Sequence, residues 1–169
     1  PLDDGASARA HALAPDAAPG ARIAVQSDAA DWLRRALSIC RRGSVVVIDY
    51  TSTTAEMARR PPWDWLRTYR SHARGVAPLV APGAQDITVE VAVDQLAAVR
   101  PPSRRSTQAE WLQRHGIDLM VDDGRRIWAA SASRPGIEAM RARSRVSEAE
   151  ALLDTRGLGG FEVLEWDLP

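Results

Sequence analysis

A chain of 169 residues has room for one domain with a real core and too little for two comfortable ones. Its 22 basic residues, all Arg, balance 22 acidic ones, so no net field directs it toward nucleic acid or an anionic membrane. A lone Cys40 excludes an internal disulfide framework and a Cys-rich zinc cluster, and fits a reducing compartment. No apolar run approaches the roughly 18 residues of a membrane span, and no signal-peptide pattern opens the chain. A cytoplasmic protein without membrane insertion is expected. Arg in place of Lys, together with abundant Ala, points to GC-rich coding and fits an actinobacterial origin.

The chain opens Pro-Leu-Asp-Asp without Met and runs through an Ala/Pro-rich stretch before any periodic pattern. Residues 1–21 are therefore expected to be a leading segment or linker inside a longer polypeptide, with the folded part over 22–169. ARIAVQ reads as a short strand, and Ser27 as the N-cap of a helix with Asp28 and Asp31 in its first turn. Trp32, Leu33, Ala36, Leu37 and Cys40 then fall on one helical face, opposite Arg34, Arg35 and Arg41. Gly43 ends that helix, and VVVI follows as a strand covered on both faces, the second half of a βαβ unit.

Downstream, PPWDWLRTYRSH reads as a Pro-started helix in which Trp63, Leu66 and Tyr69 or Arg70 recur at helical spacing. VAPLVAPGAQ is a loop. DITVEVAV alternates Ile87, Val89, Val91 and Val93 against Thr88, Glu90 and Ala92, a strand with one apolar face whose end runs into a helix containing Leu96. Thr107 with Glu110 forms a capping box for a helix holding Trp111 and Leu112 and closing near Gly116. Ser147 with Glu150 repeats the signal before Ala151, Leu152 and Leu153. GLGGFEVLEW is a glycine-rich turn into a last strand.

Gly157, Gly159 and Gly160 precede a strand, whereas a phosphate or dinucleotide cradle needs glycines between a strand and a helix N-terminus. They read as a plain turn. His11, His72 and His115 lack metal-ligand spacing, and no metal site is predicted. No Ser lies in a Gly-x-Ser-x-Gly elbow, and Cys40 sits in an apolar stripe, so no nucleophile stands out. Most of the six Trp residues occupy core-type positions; Trp63 and Trp65, beside prolines, are candidates to line a groove. Asp49 and Tyr50 end the VVVI strand, where open parallel sheets bind ligands. Either Asp49 does chemistry there, or it caps the turn through Thr51 to Thr54.

Taken in series, RRGSVVVIDY, WLRTYRSH, PLVAPGAQDITVEV, STQAEWLQRHGI and GLGGFEVLEW resemble the C-terminal half of the MidA-like methyltransferases, from about Arg22 to Trp166. That family includes the mitochondrial protein-arginine methyltransferase needed for complex I assembly. The resemblance implies an α/β fold: the C-terminal part of a class I, Rossmann-like methyltransferase, a mixed sheet with a closing antiparallel strand pair. VVVIDY would be a central parallel strand, DITVEV and FEVLEW the closing pair, and the helices around Trp32 and Trp111 would pack on or beside the sheet. It further implies S-adenosylmethionine as cofactor, with its glycine-rich loop upstream of Pro1, so cofactor-binding residues within this chain are unknown. A protein arginine is the implied acceptor.

Carboxylates orient a guanidinium by paired charge-assisted hydrogen bonds. Asp49 and Tyr50 are accordingly the expected catalytic residues, with Trp63, Trp65, Tyr69, Arg70, His72, Asp86 and Thr88 on the substrate side. Thr51 stands where the family usually has Gly. Glu90, Ala92 and Val93 stand where many members have His and then Asp-Phe. The alternative is a non-catalytic interaction module derived from a methyltransferase half, docking through Trp63, Trp65 and the YRSH segment.

Overall fold

The computed structural model describes residues 4–80, 82–131, 133–134 and 136–169. The opening residues 1–3 and Ala81 of the VAPLVAPGAQ loop lie outside them. The chain forms two compact units, one of Pro1–Val45, Tyr50–Pro101 and Leu168–Pro169, the other of Val46–Asp49 and Pro102–Asp167.

In the first unit, the leading segment contains a helix, α1 (Asp4–Leu13), rather than an aperiodic stretch. Alternate Ala residues supply helix propensity without an apolar stripe, and none of its residues is buried. The ARIAVQ segment is not a strand. Two side-chain amides take the place of a backbone ladder there: Gln26 donates to Glu90 O and accepts from Ala92 N, while Gln95 donates to Ala24 O and accepts from Gln26 N. Helix α2 (Ser27–Ile39) follows, with Gln26 rather than Ser27 at the N-cap and no side-chain cap. Ala30 and Leu33 bury its inner face against α5, whereas Trp32 is 48% exposed and lies off that face. The helix ends before Gly43, which opens strand β1 (Gly43–Asp49) at φ +97°, a backbone angle that favours glycine.

Strand β2 (Thr51–Ser52) pairs in parallel with β6 (Val91–Ala92), and between them lie α3 (Thr54–Ala58) and α4 (Pro62–Trp65). The WLRTYRSH helix stops after one turn. From Leu66 the chain turns into β3 (Leu66–Arg70), which pairs antiparallel with β4 (Ala73–Arg74) and with β5 (Asp86–Val89). The β-branched and aromatic Thr68 and Tyr69, paired across the ladder, outweigh the helical spacing. The β3–β4 turn places Ser71 at φ +49° and His72 at φ +63°, the two positive angles of a type I′ hairpin. All four residues of β5 are exposed, so no apolar face of DITV is buried. Glu90 breaks the run, and the chain passes from β5 to β6 and then into α5 (Val93–Val99), the helix expected around Leu96. A core of Met57, Trp65 and Ala92, flanked by Ala24 and Leu66, holds these pieces together.

The second unit carries most of a three-stranded sheet in the order β1, β8 (Glu162–Leu168), β7 (Arg104–Thr107), in which, among the described residues, β1 lies at one edge. It is not covered on both faces: Val46 and Ile48 are exposed, while Val47 and Asp49 are half-buried. The last strand pairs antiparallel with β7, and DITV lies in a different sheet, so the two segments expected to pair with each other do not.

Thr107 and Glu110 form the anticipated capping box at the start of α6 (Gln108–Arg114), and Gly116, at φ +86°, follows its C-cap His115. Two further helices, α7 (Ile117–Ala130) and α8 (Ile137–Leu153), pack together through Gly124 and Ala142. Ser147 and Glu150 are interior residues of α8 and cap nothing; the helix starts at Ile137, ten residues earlier, and its Ala-rich sequence carries it through.

Candidate functional site

Glu90 is positioned by the change of sheet. Its N–H donates to Trp65 O, its neighbour Val91 donates to Tyr50 O, and its side chain is 11% exposed. On β3 and β5, Arg67 opposes Thr88, Tyr69 opposes Asp86, and Arg74 of β4 opposes Tyr69. Directly opposed residues share a face, and residues two apart on one strand share it too. Arg67, Tyr69, Arg74, Asp86 and Thr88 therefore occupy one face of this sheet, and Glu90 reaches Arg67 diagonally along it.

Four side chains converge on the Glu90 carboxylate and its surroundings. Oε2 accepts from Arg60 Nη2 at 2.5 Å and from Ser52 Oγ at 2.6 Å. Oε1 faces Arg67 Nη2 at 3.9 Å, an ionic contact too long for a hydrogen bond. The same Arg67 guanidinium stands 5.1 Å from the centroid of the Tyr50 ring, and on the same sheet Arg74 stands 5.5 Å from that of Tyr69. Burial alone would raise the Glu90 carboxyl, but the hydrogen bonds from Arg60 and Ser52 and the charges of Arg60 and Arg67 outweigh it, so the group titrates below the ordinary carboxylate range. Arg60 is shifted the opposite way, upward, chiefly by its hydrogen bond to Glu90.

Of the residues expected on the substrate side, Tyr69, Asp86 and Thr88 lie together on the sheet face, and Tyr50 joins them through Arg67. Arg70 pairs with Ala73, one residue out of phase with Tyr69, and so belongs to the opposite face. It lines a cleft of about 270 Å³ with Ser71, Arg74, Gly75 and Gln85, at the hairpin end of the sheet. His72 sits in the hairpin turn. Trp63 is 72% exposed, but Trp65 is 4% exposed and belongs to the core, so the two do not line one open groove. The alternation that puts Leu66 toward the core, and the single turn of α4, separate them.

Asp49 belongs to the second unit as the last residue of β1. In the first unit, the amides that begin α3 take other acceptors: Thr53 N donates to Glu56 Oε2, Thr54 N to Asp94 Oδ1, and Glu56 N to Thr53 Oγ1. Thr53, Glu56 and Asp94 thus hold the amides of Thr53, Thr54 and Glu56.

Glu90, Arg60, Arg67 and Ser52 were not singled out by the sequence, because Glu90 read as one polar residue in an alternating strand. The usable signal was a lone carboxylate inside the run ITVEVAV, where two apolar segments meet.

The glycine cluster offers no cradle for a cofactor. Leu158–Gly160 form a 3-10 turn, and a Cβ on Gly159 or Gly160 would stand 2.5 Å from Leu153 C or 2.2 Å from Thr155 O. The space beside these glycines is filled by the chain's own backbone, so a plain turn is what they make. Among the described residues no group of three His, Cys, Asp or Glu is placed to hold a metal ion, and no helix is long and apolar enough to cross a membrane.

The chain is similar in fold to two solved structures from Burkholderia thailandensis. One is an uncharacterized ACR superfamily protein, 22% identical, with a TM-score of 0.73 over 99% of this chain and 44% of that one. The other, from the same superfamily, is described as a "likely methyl transferase" and is bound to S-adenosyl-homocysteine; it is 22% identical, with a TM-score of 0.71 over 99% of this chain and 42% of that one. The chain thus spans less than half the length of either. No curated protein matches the sequence. Residues 1–112 match the family described as "Putative S-adenosyl-L-methionine-dependent methyltransferase", whose cofactor is S-adenosyl-L-methionine. With two thirds of its length covered by that match, the chain belongs to this methyltransferase family.

Proposed function

We propose that residues 22–169 are the C-terminal, acceptor-holding part of a MidA-like, class I Rossmann-type methyltransferase that modifies an arginine of a protein partner in the cytoplasm, with residues 1–21 as the linker into it. The antiparallel pair β7–β8 is, in this reading, the strand pair that closes the sheet. The coverage of only 44% and 42% of the two similar structures supports a partial domain. The cofactor loop is assigned to a preceding segment, since Gly159 and Gly160 of the one glycine-rich run lie against their own backbone.

The observation that carries the arginine reading is the joint grip of Glu90 and Tyr50 on a guanidinium. The exposed Tyr50 ring, 5.1 Å away, and a carboxylate oxygen at 3.9 Å both neighbour the planar cation of Arg67. Such a pair selects guanidinium over ammonium, because only the planar group can stack on a ring while presenting N–H donors in its plane. The chain's own part in the reaction is then to bind and orient the acceptor, and alignment is where most of the catalysis in a methyl transfer resides. Tyr69, Asp86 and Thr88 extend the face over which the partner's segment would lie. Asp49 is proposed as a further acceptor-orienting carboxylate.

The test is kinetic. In the full-length enzyme, Tyr50→Leu and Asp49→Asn are each expected to lower methyl transfer at least tenfold while leaving the melting temperature within a few degrees. Unchanged turnover in both variants would overturn the assignment.

A further inference from the structure

Arg67 occupies the constellation that the preceding reading assigns to the substrate, and it occupies it loosely. Its Nη2 lies 3.9 Å from Glu90 Oε1, whereas charge-assisted N–H···O bonds close to about 2.7–2.9 Å. The other oxygen of the same carboxylate is fully engaged, by Arg60 at 2.5 Å and Ser52 at 2.6 Å. Oε1 is therefore an anchored acceptor whose orientation is fixed from behind and whose front carries only a long ionic contact. The Arg67 side chain is 27% exposed and the Tyr50 residue 49%, so the pair opens to solvent on one side.

We propose that Arg67 is an internal competitor for the acceptor site: the incoming arginine displaces it from Glu90 Oε1 and from the Tyr50 ring, and in the absence of substrate Arg67 keeps that site filled. Exchange of one guanidinium for another restores the ionic contact at Oε1 and the stacked cation on the Tyr50 ring, so little is lost when Arg67 leaves. Arg60 stays in place and holds the carboxylate oriented during the exchange. Arg67 is thus a specificity-setting residue. A ligand without a planar cation cannot replace what it removes, and weak arginine ligands are screened out by the competition. This inference rests on the arginine reading of the same site, but it concerns binding alone, so its failure and the failure of that reading are separable.

The chain contains only two tyrosines, Tyr50 and Tyr69. In the full-length enzyme with ring-labelled tyrosine, the Tyr50 and Tyr69 NMR signals are assigned by their loss in Tyr50→Phe and Tyr69→Phe, giving one reporter at the site and one beside it. N-acetyl-arginine amide, titrated into the full-length enzyme carrying Arg67→Met, is expected to shift the Tyr50 signal saturably, with an affinity raised about twofold to fivefold over the wild type, the range an ion pair of this exposure sets. N-acetyl-lysine amide is expected to leave the signal in place, and adding Glu90→Gln to Arg67→Met is expected to abolish the response. Arg67→Lys, which keeps the charge without the planar fork, provides the same readout should Arg67→Met lose its fold. Equal affinity in wild type and variant, or no saturable shift in a folded Arg67 variant, would overturn the proposal. Saturable binding without any methyl transfer by the full-length enzyme would instead sink the functional reading and leave this one standing.

Discussion

Arg60 Nη2 donates to Glu90 Oε2 at 2.5 Å, a link across 30 residues that ties the end of α3 to the point where the chain leaves one sheet of the first unit for another. Ser52 binds the same oxygen, so a single carboxylate atom joins β2, the α3–α4 connection and the β5–β6 junction. Its protonation state therefore bears on how that unit holds together.

The sign of the pH dependence follows from the downward shift of Glu90. A carboxyl with a lower pKa folded than unfolded contributes stability that is fully present above the unfolded value, near 4.3, and is lost as pH falls through the folded value. Glu90→Gln is expected to cost about 1–2 kcal/mol at neutral pH, the scale of hydrogen bonds to a charged group discounted for the partly exposed Arg60. Urea titrations of wild type and variant should show this difference shrinking below about pH 4. A difference that is constant with pH would contradict the ion-pair account.

Gln95 makes three hydrogen bonds with one amide: it accepts from Gln26 N and donates to Ala24 O and to Thr54 Oγ1. Gln95→Leu keeps the volume and leaves those three groups to find other partners. A loss of about 2–4 kcal/mol is expected, since each unsatisfied buried group costs about 1–3 kcal/mol and the edge groups recover some water. Chemical denaturation measures it; a loss under about 0.5 kcal/mol, the range of ordinary surface substitutions, would show that the amide is dispensable.

Gly160→Ala places a Cβ against the carbonyl oxygen of Thr155, backbone that cannot swing aside. The expected result is a loss of about 1–3 kcal/mol, the usual cost of overpacking, read as a lower melting temperature. In the full-length enzyme the affinity for S-adenosylmethionine should be unchanged, because these glycines form a turn. A cofactor-binding defect in a variant of normal stability would reverse that assignment.

Legibility differed from element to element for physical reasons. Capping boxes are local: Thr107 and Glu110 lie three residues apart, and both the cap and its helix follow from that spacing. The same four-residue pattern at Ser147 misled because a helix already in progress satisfies those amides internally. The β3 strand was hidden because Trp63, Leu66 and Tyr69 fit helical spacing, and the partner that overrides it, Asp86–Val89, lies some twenty residues on. The Glu90 cluster is less legible still. Its members come from positions 52, 60, 67 and 90, each unremarkable in its own neighbourhood, and only the change of sheet at Glu90 brings them together. Tyr50 was legible as the aromatic residue just after a strand end, but its partner Arg67 was not.

Calorimetry on the 169-residue chain tests the division of labour. Negligible heat on titration with S-adenosylmethionine is expected, because the glycine-rich run at residues 157–160 is a turn filled by its own backbone. Micromolar binding, about −8 kcal/mol, would contradict the assignment of the cofactor loop to a preceding segment.

The central claim, that the acceptor is a protein arginine, is tested most directly by incubating the full-length enzyme and cell extract with radioactive S-adenosylmethionine and mapping the labelled residue by mass spectrometry. The account predicts label on an arginine of a protein, lost when Tyr50→Leu is introduced. Label confined to lysine, to a nucleic acid or to a small molecule would contradict it.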